Sequence, residues 1–192
     1  NVEQRDVVFV PVAINYDRVL EDRVLIAADR AGTRRFRARI SVILVFILRK
    51  TWLRIRGKFL RFGEAAVVFG EPVLLRDYGP KPDVDVLAQD LMRRIADEMP
   101  LLFVPLMARI MLLAQGPLDQ ASLEDAMRRL IERTKVSDSI DHADFSASVA
   151  KAREHLVQRS FITRVGDGYV ATVDERPALT YYANSVAHFF DA

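Results

Sequence analysis

The sequence predicts an α/β chain in which buried strands come first and a mostly helical region with a small hairpin follows. Three observations predict this. Residues 7–14 form an unbroken apolar run in which four of eight residues are Val, and residues 65–70 form a second short β-rich run. From Asp83 onward, apolar residues recur at helical spacing. Near the end, two short β-rich segments flank Gly166-Asp167-Gly168.

The run Val7-Val8-Phe9-Val10-Pro11-Val12-Ala13-Ile14 lacks alternation. It is therefore expected to be a strand covered on both faces, as in a parallel sheet. Pro11 has no N–H to give a ladder, so it marks a bulge, an edge or an early strand end. Polarity begins at Asn15-Tyr16-Asp17. In open α/β sheets ligands bind outside the carboxyl ends of strands. Tyr16 and Asp17 are thus candidates for ligand contact. The plainer alternative is a turn in which Asp17 caps a short helix over 18–22.

Net charge is +2, but it is unevenly spread. Eleven of the 28 basic residues lie between Arg30 and Gly63, a stretch without Asp or Glu. The other seventeen share the chain with all 26 acids. Within the cationic stretch sits Ile40-Ser41-Val42-Ile43-Leu44-Val45-Phe46-Ile47-Leu48, followed by Arg49-Lys50-Thr51-Trp52. As a helix, its nine residues rise about 14 Å, against a hydrocarbon core of about 30 Å, and cannot span it. Basic clusters at both ends and a bordering Trp fit a helix lying in the interface, over about residues 38–60. Ile43, Val45, Phe46, Ile47, Arg49, Lys50 and Trp52 are the expected membrane contacts. Each cation near an anionic leaflet adds roughly 1 kcal/mol. A buried helix with solvated Arg ends is the alternative. A nucleic-acid patch fits poorly, since an aliphatic block interrupts the basic stripe.

Residues 65–70 read as the second buried strand, ended by Gly70 and Pro72. Gly70 permits close approach or an unusual backbone angle. Asp83–Glu98 carries Val84, Leu87, Ala88, Leu91 and Ile95 on one helical face. Pro100 is placed to start the next helix. Residues 101–114 are apolar almost all round, interrupted by Pro105 and Arg109, and are expected to pack on the sheet, with membrane contact as the alternative. Ser122-Leu123-Glu124-Asp125 reads as a helix start, with Ala126, Leu130 and Ile131 inward. His142 with Asp138, Asp141 and Asp144 reads as a solvated linker rather than a metal site. Residues 145–159 are amphipathic, and a last helix follows Pro177. There is no Cys, hence no disulfide framework and no thiol nucleophile.

Three segments in this order resemble the glycerol-3-phosphate 1-O-acyltransferase family of membrane-bound bacterial enzymes and their mitochondrial relatives. Val10-Pro11-Val12 in its strand is similar to the family's fourth acyltransferase motif. Phe69-Gly70-Glu71-Pro72 matches the strand end that follows. Tyr181-Tyr182-Ala183-Asn184 with His188 resembles a signature near the family's C-terminus. The resemblance implies that residues 1–80 are the C-terminal part of an acyltransferase α/β domain and 83–192 a helical C-terminal region. It implies that Val10, Pro11 and Val12 line the substrate pocket. The implied partners are an acyl-CoA or acyl carrier protein thioester, glycerol 3-phosphate and anionic membrane lipid, with no cofactor. Peripheral attachment at the cytoplasmic face of the inner membrane is implied as well.

The family's general base is a His steadied by an Asp five residues later. His142 and His155 are followed at that distance by Ala147 and Ser160, and His188 lies too near the end. The chain, which has no initiator Met, is therefore expected to be the C-terminal part of a longer enzyme and inactive alone. Helices followed by a hairpin are also the order of a winged-helix DNA reader. Residues 116–190 carry nine basic and eleven acidic residues, which cannot supply the required phosphate neutralisation. A non-catalytic interaction module is the third reading.

Overall fold

The computed structural model describes residues 6–19, 22–30, 63–134 and 144–190. The chain divides into two units, one of residues 1–17 with 65–192 and one of residues 18–64. In the second, the described element is helix α1 (Asp22–Arg30), whose Asp22 is buried and accepts the Arg23 N–H at 2.7 Å. Of the short helix expected over 18–22, Arg18 and Val19 are not helical, Asp22 opens α1, and residues 20–21 lie outside the described residues. Asp17 lies in a bend, and the helix begins only at Asp22. The interfacial segment 38–60, with Ile43, Val45, Phe46, Ile47, Arg49, Lys50 and Trp52, lies outside the described residues.

The first unit opens with β1 (Val8–Phe9) and β2 (Val12–Tyr16), which pair with β4 (Val73–Leu74) and β3 (Ala65–Phe69) respectively. Both pairings are antiparallel. Val8 faces Leu74 and Phe9 faces Val73, whereas Val12 faces Phe69 and Tyr16 faces Ala65. Between the two ladders, Val10-Pro11 opposes Gly70-Glu71-Pro72, so one residue is extra on the second strand. This is a bulge, the role that Pro11 was expected to mark. Pro11 contributes only its carbonyl, which accepts the Gly70 N–H at 2.9 Å.

The expectation of strands covered on both faces is corrected. Along β2, Ala13 and Asn15 are buried while Ile14 and Tyr16 are exposed. Along β3, exposure alternates in the same way. No parallel pair occurs among the described residues. The alternation was invisible in sequence because the outward positions are apolar too.

A 3₁₀ turn (Leu75–Tyr78) leads to α2 (Val84–Asp97), capped by Asp83, whose carboxylate accepts the Asp85 and Val86 N–H groups. Leu87, Leu91 and Ile95 are half-buried, but Val84 is exposed, and α2 has no fully buried residue. The centre of the unit is α3 (Phe103–Leu113), with seven buried residues. A helix apolar on every side must be surrounded. It is surrounded by α4 (Gln120–Glu132), α5 (Phe145–Gln158) and α6 (Arg176–Asn184), and it touches strand β6 (Gly168–Ala171). Its burial is therefore chiefly among helices, not on the main ribbon as expected. Pro105 does not interrupt it. That residue falls in the first turn, where the N–H has no intrahelical partner anyway. Pro100 lies three residues ahead of the helix instead of starting it.

Helix α4 begins at Gln120, three residues earlier than a Ser122 cap would place it. Asp119 is its cap and accepts the Ser122 N–H at 2.8 Å. The Ser122 hydroxyl first, and then this N–H, lower the Asp119 pKa. Helix α5 ends with Ser160 at φ 62°, bonding Ser160 N to Val157 O and Phe161 N to Leu156 O. These are the paired bonds of a Schellman motif, with Ser where Gly is usual. β5 (Ile162–Val165) and β6 then form the expected hairpin, with Gly166 at φ 59° in its two-residue loop. Leu118 joins β6 by reciprocal backbone bonds to Tyr169. A Cβ on Gly168 would meet Pro117 Cβ at 2.8 Å, so only glycine admits this approach. Among the described residues no helix is long and apolar enough to cross a membrane.

Candidate functional site

The bulge is where the sequence-marked residues converge. Pro11, Gly70 and Glu71 line a cavity of about 170 Å³ whose other walls are Arg93, Arg94, Asp97 and Glu98. Gly70 is small for a reason. A Cβ there would lie 3.1 Å from Glu98 Cγ and 3.4 Å from Pro11 Cβ. Its expected role in close approach holds. The four charged walls come from the polar side of α2 and its end. Nothing local in sequence marks these four side chains or shows which strand they face.

The charges are largely satisfied among themselves. Arg93 donates to Asp90 at 2.6 Å and to Asp97 at 2.9 Å, and Arg94 donates to Asp90 at 2.7 Å. Tyr78 OH donates to the same Asp90 carboxylate. These donors, Tyr78 first, hold the Asp90 pKa well below the usual carboxylate value, and the same bond raises that of Tyr78. An Asp stabilised in this way contributes stability above its unfolded pKa of about 3.9 and loses it as pH falls. The urea midpoint of the protein is expected to drop below about pH 4, and Asp90→Asn to flatten that slope. Equal slopes in both proteins would show that Asp90 is not coupled to folding.

The other sequence-marked residues are dispersed. Val10 and Tyr16 are exposed, and Val12 is half-buried opposite Phe69. Asp17 is buried, and its Oδ1 accepts the Val104 N–H at 3.4 Å, at the first turn of α3. Asn15, which the sequence reading did not single out, donates from Nδ2 to Pro100 O at 2.9 Å. Strand β2 is thus held at its end to the entrance of α3.

Of the C-terminal signature residues, Tyr182 and Ala183 are buried, whereas Asn184 and His188 are exposed. Tyr182 is buried on α6, stacks beside Phe161, and its hydroxyl accepts from Arg159 at 2.8 Å. His188 Nε2 lies 2.8 Å from Ala96 O, one of the last carbonyls of α2. The Arg128, Arg153 and Arg159 guanidinium groups lie over the rings of Phe145, Tyr169 and Phe161. Among the described residues no cluster of His, Asp and Glu could hold a metal ion.

Comparison with known proteins adds the following. Residues 51–191 match the family model described as glycerol-3-phosphate acyltransferase C-terminal region. The glycerol-3-phosphate acyltransferase of Pseudomonas aeruginosa LESB58 is 28% identical over 215 residues, covering 97% of this chain and 24% of that protein. Its counterpart in Pseudomonas putida GB-1 is 26% identical over 210 residues, covering 96% and 24%. That of Shewanella oneidensis MR-1 is 26% identical over 217 residues, covering 97% and 25%. The chain spans about a quarter of the length of the curated relatives it matches.

Proposed function

Because this chain belongs to the glycerol-3-phosphate acyltransferase family, as a C-terminal region, we propose that it is part of an enzyme that acylates glycerol 3-phosphate. In the reaction, the 1-hydroxyl of glycerol 3-phosphate attacks the carbonyl carbon of a fatty acyl thioester. The C–S bond breaks, and the thiol of CoA or acyl carrier protein leaves. The product is the first intermediate of phospholipid synthesis. The observation that carries this reading is the family match over residues 51–191, and the pairing of the two motif segments supports it. Val10-Pro11-Val12 and Phe69-Gly70-Glu71-Pro72 are far apart in sequence yet meet at one bulge.

In this reading residues 1–80 complete an acyltransferase α/β domain, and 83–192 form its helical buttress. Val10, Pro11, Val12 and Tyr16 line the substrate pocket. Asp17 supports that pocket by fixing the strand end. The chain supplies shape and not the proton transfer, since none of its three His residues has an Asp five positions on. A general base contributes about 10²- to 10⁴-fold, so the chain alone is inactive. The basic apolar segment about 38–60 attaches the enzyme peripherally to the cytoplasmic face of the inner membrane, through Ile43, Val45, Phe46, Ile47, Arg49, Lys50 and Trp52.

The test is an acyl-transfer assay with glycerol 3-phosphate and a palmitoyl thioester of CoA or carrier protein. The chain alone is expected to give no turnover above a heat-killed control, and the longer natural polypeptide to give turnover with at least one donor. Turnover by the chain alone would refute the inactive-fragment reading. A longer protein without acyl transfer would refute the activity. In parallel, anionic liposomes should retain the chain and duplex DNA should not.

A further inference from the structure

We propose that His188 is a positioning residue: it fixes the C-terminal end of α2, and through it the charged wall that α2 presents to Pro11 and Gly70. The inference rests on the reading above that the chain is part of a longer acyltransferase. It deepens that reading by giving the cavity beside Pro11 to the polar substrate, glycerol 3-phosphate, and not to the acyl chain.

The first observation is the bond itself. The last carbonyls of a helix have no partner within it, and side-chain N–H groups can satisfy them. At the end of α2, Ala96 O accepts the Met99 N–H at 3.1 Å and lies 2.8 Å from His188 Nε2. A carbonyl only accepts, so Nε2 carries the proton. The donor lies 92 residues along the chain, so this is no local cap. The tail that delivers it is itself anchored. Val186 has no solvent exposure, the His188 and Phe189 rings lie 4.1 Å apart, and the Phe190 ring lies 4.8 Å from the guanidinium of Arg109 on α3.

The second observation is what else the end of α2 carries. Arg94, Asp97 and Glu98 stand within two residues of Ala96, and all three wall the cavity beside Pro11 and Gly70. The approach there is close, since a Cβ on Gly70 would lie 3.1 Å from Glu98 Cγ. Strand β2 holds the same connection from its other side, through Asn15 on Pro100 O and Asp17 on the Val104 N–H. Tail and motif strand thus grip one short stretch, residues 96–104. Releasing His188 leaves that stretch held from the strand side alone, and the cavity wall moves with it.

The third observation is the chemistry of the wall. An aliphatic chain is stabilised by apolar contact, which this cavity of about 170 Å³ offers only at Pro11 and Gly70. A small polyol is held by hydrogen bonds. Arg93 is committed to Asp90 and Asp97, whereas the Glu71 and Glu98 carboxylates have no hydrogen bond or ion pair among the described residues. They are acceptors suited to hydroxyl groups.

The test uses His188→Ala and His188→Gln in the longer natural polypeptide, assayed with glycerol 3-phosphate and a palmitoyl thioester. His188→Ala should raise KM for glycerol 3-phosphate about tenfold and leave kcat and the thioester KM within about threefold, the pattern of lost ground-state binding. His188→Gln, whose Nε2 can still donate to Ala96 O, should restore KM. An unchanged KM in the Ala variant would overturn the proposal. So would a joint fall of kcat, both substrate affinities and the urea midpoint that Gln does not mend, because that is general structural damage. A second readout needs no activity. In the chain alone, His188→Ala should quicken hydrogen exchange of the Gly70, Glu98 and Met99 amides about tenfold and leave Met127 in α4 unchanged. Equal exchange in the two proteins would overturn the coupling between tail and cavity. Absence of transfer by the unsubstituted longer protein would refute the activity, and the exchange result would then decide the role of His188 by itself.

Discussion

Replacing Phe161 by Ala is expected to lower the unfolding free energy of the chain by about 3–5 kcal/mol. Phe161 has no solvent exposure. It follows the left-handed Ser160, and its N–H closes the end of α5 on Leu156 O. Its carbonyl accepts the Thr172 N–H at 3.0 Å, tying the hairpin to the helix. Its ring lies beside Tyr182 of α6 and under the Arg159 guanidinium. Truncation leaves a cavity where α5, α6 and the hairpin meet, and it strips an Arg of its aromatic support. Urea titration checks this. The midpoint should fall, with the slope unchanged. Phe161→Leu should cost less, because more of the volume remains. A loss under about 1 kcal/mol for the Ala variant would show that the site collapses freely, which close packing does not permit.

Removing the side chains that hold β2 to α3 is the second large effect. Asn15→Ala leaves Pro100 O without its donor and Tyr16 N without the Asn15 Oδ1 acceptor, both close to a buried position. Asp17→Ala leaves the Val104 N–H without the carboxylate that faces the positive end of α3. Each change should cost about 1–3 kcal/mol, the desolvation penalty of stranded polar groups. Asp17→Asn, which keeps an acceptor, should be milder. Because both side chains serve one junction, the double variant should cost less than the sum. Strict additivity in urea titrations would mean the two bonds act independently. Faster exchange of the Val104 amide in Asp17→Ala identifies the bond itself.

Much of this architecture was legible from the chain. Apolar patterns, a cap and Pro177 pointed to the five α-helices described beyond residue 83, and Gly166-Asp167-Gly168 to the hairpin. Pro11 marked the bulge, and Gly70 marked the close approach at it. What escaped was decided by partners distant in sequence. The ribbon looked doubly buried because Ile14, Val67 and Phe69 are as apolar as the residues beneath them. Asp17 looked like a local cap, but its partner is Val104, 87 residues away. Asp119 outcompeted Ser122 as a cap, since either residue type can fill that position. The cavity beside Pro11 depends on α2 crossing the bulge, which no pattern within either segment encodes.

The ribbon has one consequence for how sequences of this kind can vary. Tyr16 and Ala65 are partners across 48 intervening residues. The entropy of closing such a loop grows only logarithmically, about 0.6 kcal/mol per doubling of its length. Insertions or deletions of several residues between the two strands would therefore scarcely alter the strength of their pairing. Relatives are free to lengthen, shorten or rewrite that excursion while keeping the same strand register at its base.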